Sequence, residues 1–460
     1  MSMLALSGCV FLILWLFARD QKLRPMASSV LWVPFLWIMF IGSRPSANWT
    51  NLEMDPEQLY ANALEGSPLD RNIFLILIIA GVIALLRRRL NWSRVLASNP
   101  WLFVFVLYCG LSLTWSDYPF VCFKKWIKEL GNFIMILLIL TEANPGAAFR
   151  AVFSRYVNVA VPLSALLVAF FTNLGSYLVL SSGEIAYCGI AKHKNGLGAI
   201  MAISGIFLVW ELVEMRTAER SRTDMAVRSV LLAMVVWLLI KAHSATALVC
   251  MVLGIAVLLC IQVPLFRRQA RHLGTYSLAI VLLIYVLVSY PIITDTFFKL
   301  VGREPTFTGR TEIWTWLLKE HVNPLLGTGF QSFWLTPGMM ERYDFINEAH
   351  NGYLETYLNC GSIGVFLLLA SIVLTGNRLK REVLRGNSFA TLLFSFLVVI
   401  VFYNLTEAVF GRLNLTWFVF LVAALAYPQR AVPVSVKPVP SLKSNGGRIK
   451  FSHALFQTVE

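Results

Sequence analysis

Charge is what this chain has little of. Only 14% of its 460 residues are Asp, Glu, Lys or Arg, whereas 57% are hydrophobic, and the mean hydropathy is +0.68. A water-soluble domain cannot hide that much apolar surface, so the composition indicates a polytopic membrane protein. The seven cysteines (Cys9, Cys109, Cys122, Cys188, Cys250, Cys260 and Cys360) are odd in number and form no CxxC. They indicate neither a disulfide framework nor a zinc site. The apolar runs lack the dyad alternation of a membrane barrel, and no internal repeat is evident. The first run has no basic residue ahead of it and no small-residue cleavage site after it, so it does not read as a signal peptide. Leu6-Ser7-Gly8-Cys9 looks like a lipoprotein cleavage box but lies too near the start to follow an apolar stretch.

What is present is a succession of 12 or 13 apolar runs, from Leu4–Phe17 through Tyr276–Ile293 to Trp417–Ala426. Most are about the length that crosses hydrocarbon, or somewhat shorter. Backbone amides in lipid must be satisfied within their own segment, so helices are the expected form. The expected fold is all-α, a polytopic membrane bundle of 12–13 transmembrane helices over residues 1–428. One long, partly helical loop at 294–352 belongs to it, and a flexible Pro-rich cytoplasmic tail follows at 429–460.

Basic residues cluster in alternate loops, as in Arg87/Arg88/Arg89/Arg94, Arg216/Arg220/Arg222/Arg228 and Arg378/Lys380/Arg381/Arg385. By the positive-inside rule these loops face the cytoplasm, which accounts for the positive balance without nucleic acid. With the tail after Pro428 they take 25 of the 39 Lys and Arg, leaving 14 for the other side. The long loop then lies outside, where such residues are scarce, yet it carries Lys299, Arg303, Arg310, Lys319 and Arg342. Other outward positions hold Lys192, His193, Lys194, Lys241, His243 and Arg412. Cations kept on the disfavoured side ask for an anionic partner: lipid headgroups in the bland reading, a lipid-linked pyrophosphate in the sharper one. The acidic outward segment with Glu53, Asp55, Glu57, Glu65 and Asp70 has no metal-ligand spacing and reads as a solvated cover.

Thr308-Gly309-Arg310 opens a short helix at about Thr311 to Glu320, with Ile313, Trp314, Leu317 and Leu318 largely on one side. A helix N-terminus beside an Arg is a ready anion site, and an interface anchor is the competing account. Asn323-Pro324-Leu325-Leu326-Gly327-Thr328-Gly329 reads as a turn that brings the halves of the loop together. In Glu348-Ala349-His350-Asn351-Gly352-Tyr353-Leu354-Glu355 the imidazole sits among polar neighbours that can fix its tautomer and raise its basicity. A lone His at a membrane edge is otherwise structural. Glu355 stands at a helix start leading into the bilayer, where an acid needs a partner. Asn404-Leu405-Thr406-Glu407 with Arg412 and Asn414 forms a further cluster, in which Glu407–Arg412 pairing is the simple expectation.

The Gly302–Trp314 stretch, Phe330-Gln331-Ser332-Phe333-Trp334, the His350-Asn351-Gly352-Tyr353 box, the Lys194-Asn195 turn and Asn404-x-Thr406-Glu407 together resemble the O-antigen ligase/polymerase superfamily. The likeness is greatest to its exopolysaccharide-polymerase branch and runs from about Gly189 to Glu407. It implies a multi-pass protein of the bacterial inner membrane that transfers sugar with inversion from an undecaprenyl-pyrophosphate donor at the periplasmic face, without metal or other cofactor. Membrane lipids, and in some systems polysaccharide export components, are the other expected partners. On that pattern Arg310 and His350 are the catalytic pair, Arg310 toward pyrophosphate with Arg303 close by, and His350 toward the acceptor hydroxyl. Lys192, Lys194, Lys241, Asn351, Tyr353 and Glu407 are expected to contact substrate, and Tyr353 and Trp334 are placed to stack on sugar rings. One departure stands out: many members carry Ser-Arg at the short turn where this chain has Ser244-Ala245, leaving Lys241 or Lys192 to supply the charge. A ligase acting on lipid A core or protein is the rival enzyme. A transporter of a lipid-linked or small anion is the rival from another class.

Overall fold

Helix starts in this chain are marked by asparagine and proline. Asn91, Asn144, Asn351, Asn387 and Asn414 each accept a hydrogen bond from an amide in the first turn of the helix they precede. Prolines open three others at Pro68, Pro100 and Pro119. Both devices satisfy or remove amides that would otherwise be orphaned beside lipid. The computed structural model describes residues 2–23, 28–46, 49, 67–88, 90–179, 183–217, 221–263, 310–336, 339 and 348–427. The run Tyr276–Ile293, Arg303 with the rest of 264–309, and the tail lie outside them.

The elements are α1 (Ser2–Leu23), α2 (Trp32–Ile41), α3 (Pro68–Leu86), α4 (Trp92–Ser98), α5 (Pro100–Leu111), α6 (Pro119–Leu140) and α7 (Pro145–Phe170). A two-stranded antiparallel ribbon follows, β1 (Ser176–Val179) with β2 (Glu184–Tyr187), pairing Leu178 with Ile185. Then come α8 (Lys194–Thr217), α9 (Arg222–Lys241), α10 (Ala245–Gln262), α11 (Arg310–Leu317), α12 (Gly352–Leu384), α13 (Ser388–Tyr403) and α14 (Leu415–Ala424). Every apolar run within the described residues lies on a helix. Seven described helices are long and apolar enough to cross a membrane, or eight if α4 and α5, bent by 96°, form one broken span. The sequence count of 12 or 13 also includes the run Tyr276–Ile293, outside the described residues, and short runs such as α14, every residue of which is buried among other helices. A multi-pass, all-α membrane protein results.

Central and peripheral helices differ sharply in burial. In α7, 83% of the spanning window is covered by protein, against 6% in α1. Around α7 and α8, the helix α10 packs on α8 and α13, and α12 packs on α13 and α5.

The feature that positions the long loop is a break in α12. Gly361 has φ 63°, and a Cβ there would lie 2.1 Å from the carbonyl oxygen of Leu325. Only glycine permits that approach. The Asn323–Gly329 turn fills the break. Thr328 N donates to Leu358 O (3.0 Å) and Gly329 N to Asn359 O (2.8 Å), while Ser362 N donates to Pro324 O (2.9 Å). Irregular backbone is tolerated at this depth because the loop takes over the helix's unpaired groups. Above it, Leu317, Phe333, Trp334, Ala349 and Leu358 form a small separate core with Ile313 and Leu354. Leu318, expected on the same face, is 64% exposed instead, because the helix ends at Leu317.

Candidate active site

The site is assembled where three chain segments meet: the start of α11, the turn into α12, and the turn between α13 and α14. Asn404 shapes the last of these. Its side chain accepts from Val409 N (3.1 Å) and Phe410 N (3.2 Å), and its carbonyl accepts from Gly352 N (2.8 Å). A Cβ on Gly352 would lie 2.0 Å from Asn404 Oδ1, so the glycine of the His-Asn-Gly box is required by this close approach. Asn351 caps α12 through Tyr353 N (3.0 Å) and Leu354 N (3.1 Å) and holds the neighbouring histidine at the helix entrance. His350 itself sits in the left-handed region, φ 47°, a conformation a non-glycine residue keeps only when its surroundings enforce it.

Six charged side chains then converge. Arg310 Nη2 lies 2.6 Å from Glu407 Oε1. His350 Nδ1 lies 3.1 Å from Glu348 and 3.7 Å from Glu407. Arg412 reaches Glu348 (3.4 Å) and Glu355 (2.6 Å). The expected Glu407–Arg412 pair is therefore replaced. Glu407 goes to Arg310, with Asn195 Nδ2 donating to it as well (2.9 Å), and Arg412 goes to Glu348 of the long loop and Glu355 of α12. Glu355 has the partners that its depth demands: Trp334 Nε1 (3.0 and 3.1 Å), Ala349 N (2.9 Å) and Arg412. It thus braces the histidine's neighbour, as does Trp314, whose Nε1 donates to Ala349 O (2.8 Å).

These contacts set the protonation states. Burial disfavours charge on His350, but Glu348 and Glu407 outweigh it and push its pKa up to about 9. Burial likewise opposes ionisation of Glu348, and His350 and Arg412 prevail and hold it down to about 2. Glu348, His350 and Glu407 place ligand-type atoms within 4.8 Å of one another, the kind of group that can hold a cation. Two guanidiniums already neutralise its carboxylates, so the donor set fits an ion-pair cluster better than a metal centre.

The other expected residues divide. Lys192 lies within electrostatic reach of Glu348 and Arg412. Lys194 opens α8 beside Asn195, its amide donating to Tyr177 Oη (3.3 Å). Lys241 does not join the cluster in any described contact; its ammonium sits 5.5 Å from the Tyr187 ring centroid, against the ribbon. Tyr353 is taken up structurally, its hydroxyl donating to Val401 O (3.0 Å) and its ring edge-on to Phe410. Trp334 is buried and bound to Glu355, which leaves it no free face for a sugar. Arg303 lies outside the described residues. Sequence reasoning passes over Lys125, whose Nζ donates to Gln331 O (2.8 Å) and ties α6 to the loop. Its only signal is a Lys124-Lys125-x-x-Lys128 run outside the loops that the positive-inside rule assigns to the cytoplasm.

Residues 218–369 match the O-antigen ligase family. That segment contains Arg310 and His350. Over 291 residues the chain is 24% identical to the exopolysaccharide production protein ExoQ of Rhizobium meliloti (strain 1021), covering 60% of this chain. The matched region spans 64% of that relative's length. Both likenesses support the O-antigen ligase superfamily, and within it the exopolysaccharide branch.

Proposed function

We propose that the chain is a membrane glycosyltransferase that lengthens undecaprenyl-pyrophosphate-linked oligosaccharide repeats, in the making of an exopolysaccharide or O-antigen. The reaction inverts the anomeric centre, needs no metal, and takes place at the periplasmic face of the bacterial inner membrane. The observation that carries this reading is the meeting of His350 and Arg310, distant in sequence, on the single carboxylate of Glu407. The donor's anomeric carbon already bears a good leaving group. The protein must orient the acceptor, take its proton and neutralise the departing diphosphate. Arg310 exchanges Glu407 for the pyrophosphate, a bidentate match for a guanidinium. Arg303, Lys192 and Lys194 add cations. His350 takes the proton of the acceptor hydroxyl as the new glycosidic bond forms on the face opposite the leaving oxygen. The same reading has a transmembrane bundle at 1–428, a periplasmic catalytic loop at 294–352 within it and a flexible cytoplasmic tail at 429–460.

One observation favours a second role for the same histidine. With a pKa of about 9, only about one site in a hundred is neutral at pH 7. As a base, His350 gives a rate that climbs with pH toward 9. As an imidazolium that stabilises the leaving group, it gives a rate that falls above 9. Purified protein in lipid, with purified lipid-linked repeats and no energy source, tests the whole reading. Longer lipid-linked chains are expected. Products of unchanged length moved to another acceptor make the chain a ligase, and transbilayer movement without bond formation makes it a transporter.

A further inference from the structure

A second imidazole stands beside the first and differs from it in state. His193 precedes α8, where its carbonyl accepts from Leu197 N (3.1 Å) and its Nδ1 accepts from Gly196 N (3.1 Å). It is the helix's cap, a role usually filled by Ser, Thr, Asp or Asn. An Nδ1 that accepts an amide proton cannot carry one of its own, so the ring is neutral with its proton on Nε2. Burial works the same way, lowering its pKa although Glu348 and Glu407 oppose that. The charged groups around the ring are those two carboxylates, Lys192 and His350. Nε2 has no hydrogen-bond acceptor among the described residues.

We infer that His193 is a substrate-binding residue whose Nε2–H donates to a pyrophosphate oxygen of the lipid-linked donor. A neutral donor suits this position. Arg310, Arg412 and His350 balance Glu348, Glu355 and Glu407 in charge, and Lys192 and Lys194 flank the ring in sequence. A further hydrogen bond is gained without a further charge to desolvate. The same tautomer removes His193 as a rival base, since its one lone pair is held by the α8 amide. This assignment rests on the pyrophosphate reading above.

The test uses the full chain in lipid nanodiscs, with undecaprenyl pyrophosphate as ligand and undecaprenol as the phosphate-free control. His193→Asn keeps an oxygen for Gly196 N but cannot reach outward. His193→Gln places an amide N–H near the former Nε2 and caps poorly. The expected pattern is crossed. The Asn variant melts like the parent and binds the pyrophosphate about tenfold or more weakly, while the Gln variant melts lower and keeps affinity within about threefold. The pH dependence of chain growth is expected to be unchanged in both, since His193 does not titrate in the reaction. The reverse pattern, normal affinity for Asn and weakened affinity for Gln, makes His193 a cap only and overturns the inference. Loss of the acid limb of the pH–rate profile in either variant overturns the tautomer. A parent protein that binds undecaprenol and the pyrophosphate equally well overturns the substrate reading itself, a result distinct from both.

Discussion

The two ends of α8 carry two charge clusters of similar make-up and opposite construction. At its C-terminal end four guanidiniums meet four carboxylates. Arg228 pairs with Glu211 (3.0 Å) and approaches Asp20 (3.9 Å), Arg155 also approaches Asp20 (3.9 Å), Arg150 reaches Glu211 and Glu214, and Arg19 holds Asp224 (2.6 Å). Every one of these groups sits on a continuous helix, and Arg155 and Arg150 also lie over Trp32 and Trp210. At the N-terminal end Glu348, His350, Glu407 and Arg412 sit on turns, Arg310 and Glu355 stand in the first turns of helices, and one of the cations is a histidine; side-chain exposure does not separate the clusters, Arg310 and His350 being 14% and 25% exposed and Arg19 and Arg150 24% and 27%. Ion pairs between residues of continuous helices hold those helices in register. Pairs that join turns and helix starts and include a titratable member can exchange one anion for another. A balanced charge sum does not distinguish a clamp from a site; the elements that carry the charges and the presence of a titratable member do.

The largest effect that sharpens the contrast is expected at His350. His350→Ala should lower chain growth about a thousandfold, read as the length distribution of lipid-linked product, with normal insertion and melting. An active variant of normal abundance removes the histidine from the chemistry. At the other end Glu211→Gln should do the opposite. It leaves Arg228 and Arg150 short of charge and costs about 3 kcal/mol of stability in a melt, with the activity per folded molecule unchanged. Arg310→Lys comes next, with a loss of about a hundredfold, because a point charge cannot replace a two-pronged donor. Equal activity for Lys and Arg there would mean that only charge matters.

Smaller effects follow from pH and from chelation. If His350 is the base, the rate rises about tenfold per pH unit from 7 and levels near 9. Stability runs the other way. The raised pKa of His350 contributes stability that is fully present below about 6.5 and is lost as pH rises through about 9. A melting temperature that does not fall over that window contradicts the ion-pair geometry. Chelation is expected to change the rate by less than about twofold, since guanidiniums occupy the carboxylates; a loss restored by a divalent cation would show that the Glu348–His350–Glu407 group takes an ion during turnover.

Much of this was legible in the chain. The apolar runs mark the helices because lipid leaves the backbone no alternative. The scarcity of outward cations singled out Arg310, and the polar box at a helix start singled out His350. The Asn323–Gly329 turn reads correctly as a joint between the halves of the loop. Three features were not legible. Glu407 lies five positions from Arg412 in the sequence, so local spacing suggests that pair, yet the turn built on Asn404 points it at Arg310, 97 residues away. Trp334 reads as a free aromatic platform until Glu355 claims its N–H. Lys241 reads as a substitute for the missing arginine until the β-ribbon supplies Tyr187.

By itself the sequence determined the solvent of this protein, the places where its helices begin, and which side chains are chemically able to hold a diphosphate. Those are properties of runs and residue types, set by the cost of unpaired amides and of stranded charge. Only the tertiary structure decided which carboxylate faces which cation, where α12 breaks to admit the loop, and which of two neighbouring histidines carries charge. Those outcomes depend on through-space distances of a few ångströms between segments that are distant in the chain, and one close approach, such as Gly361 against Leu325, redirects them all.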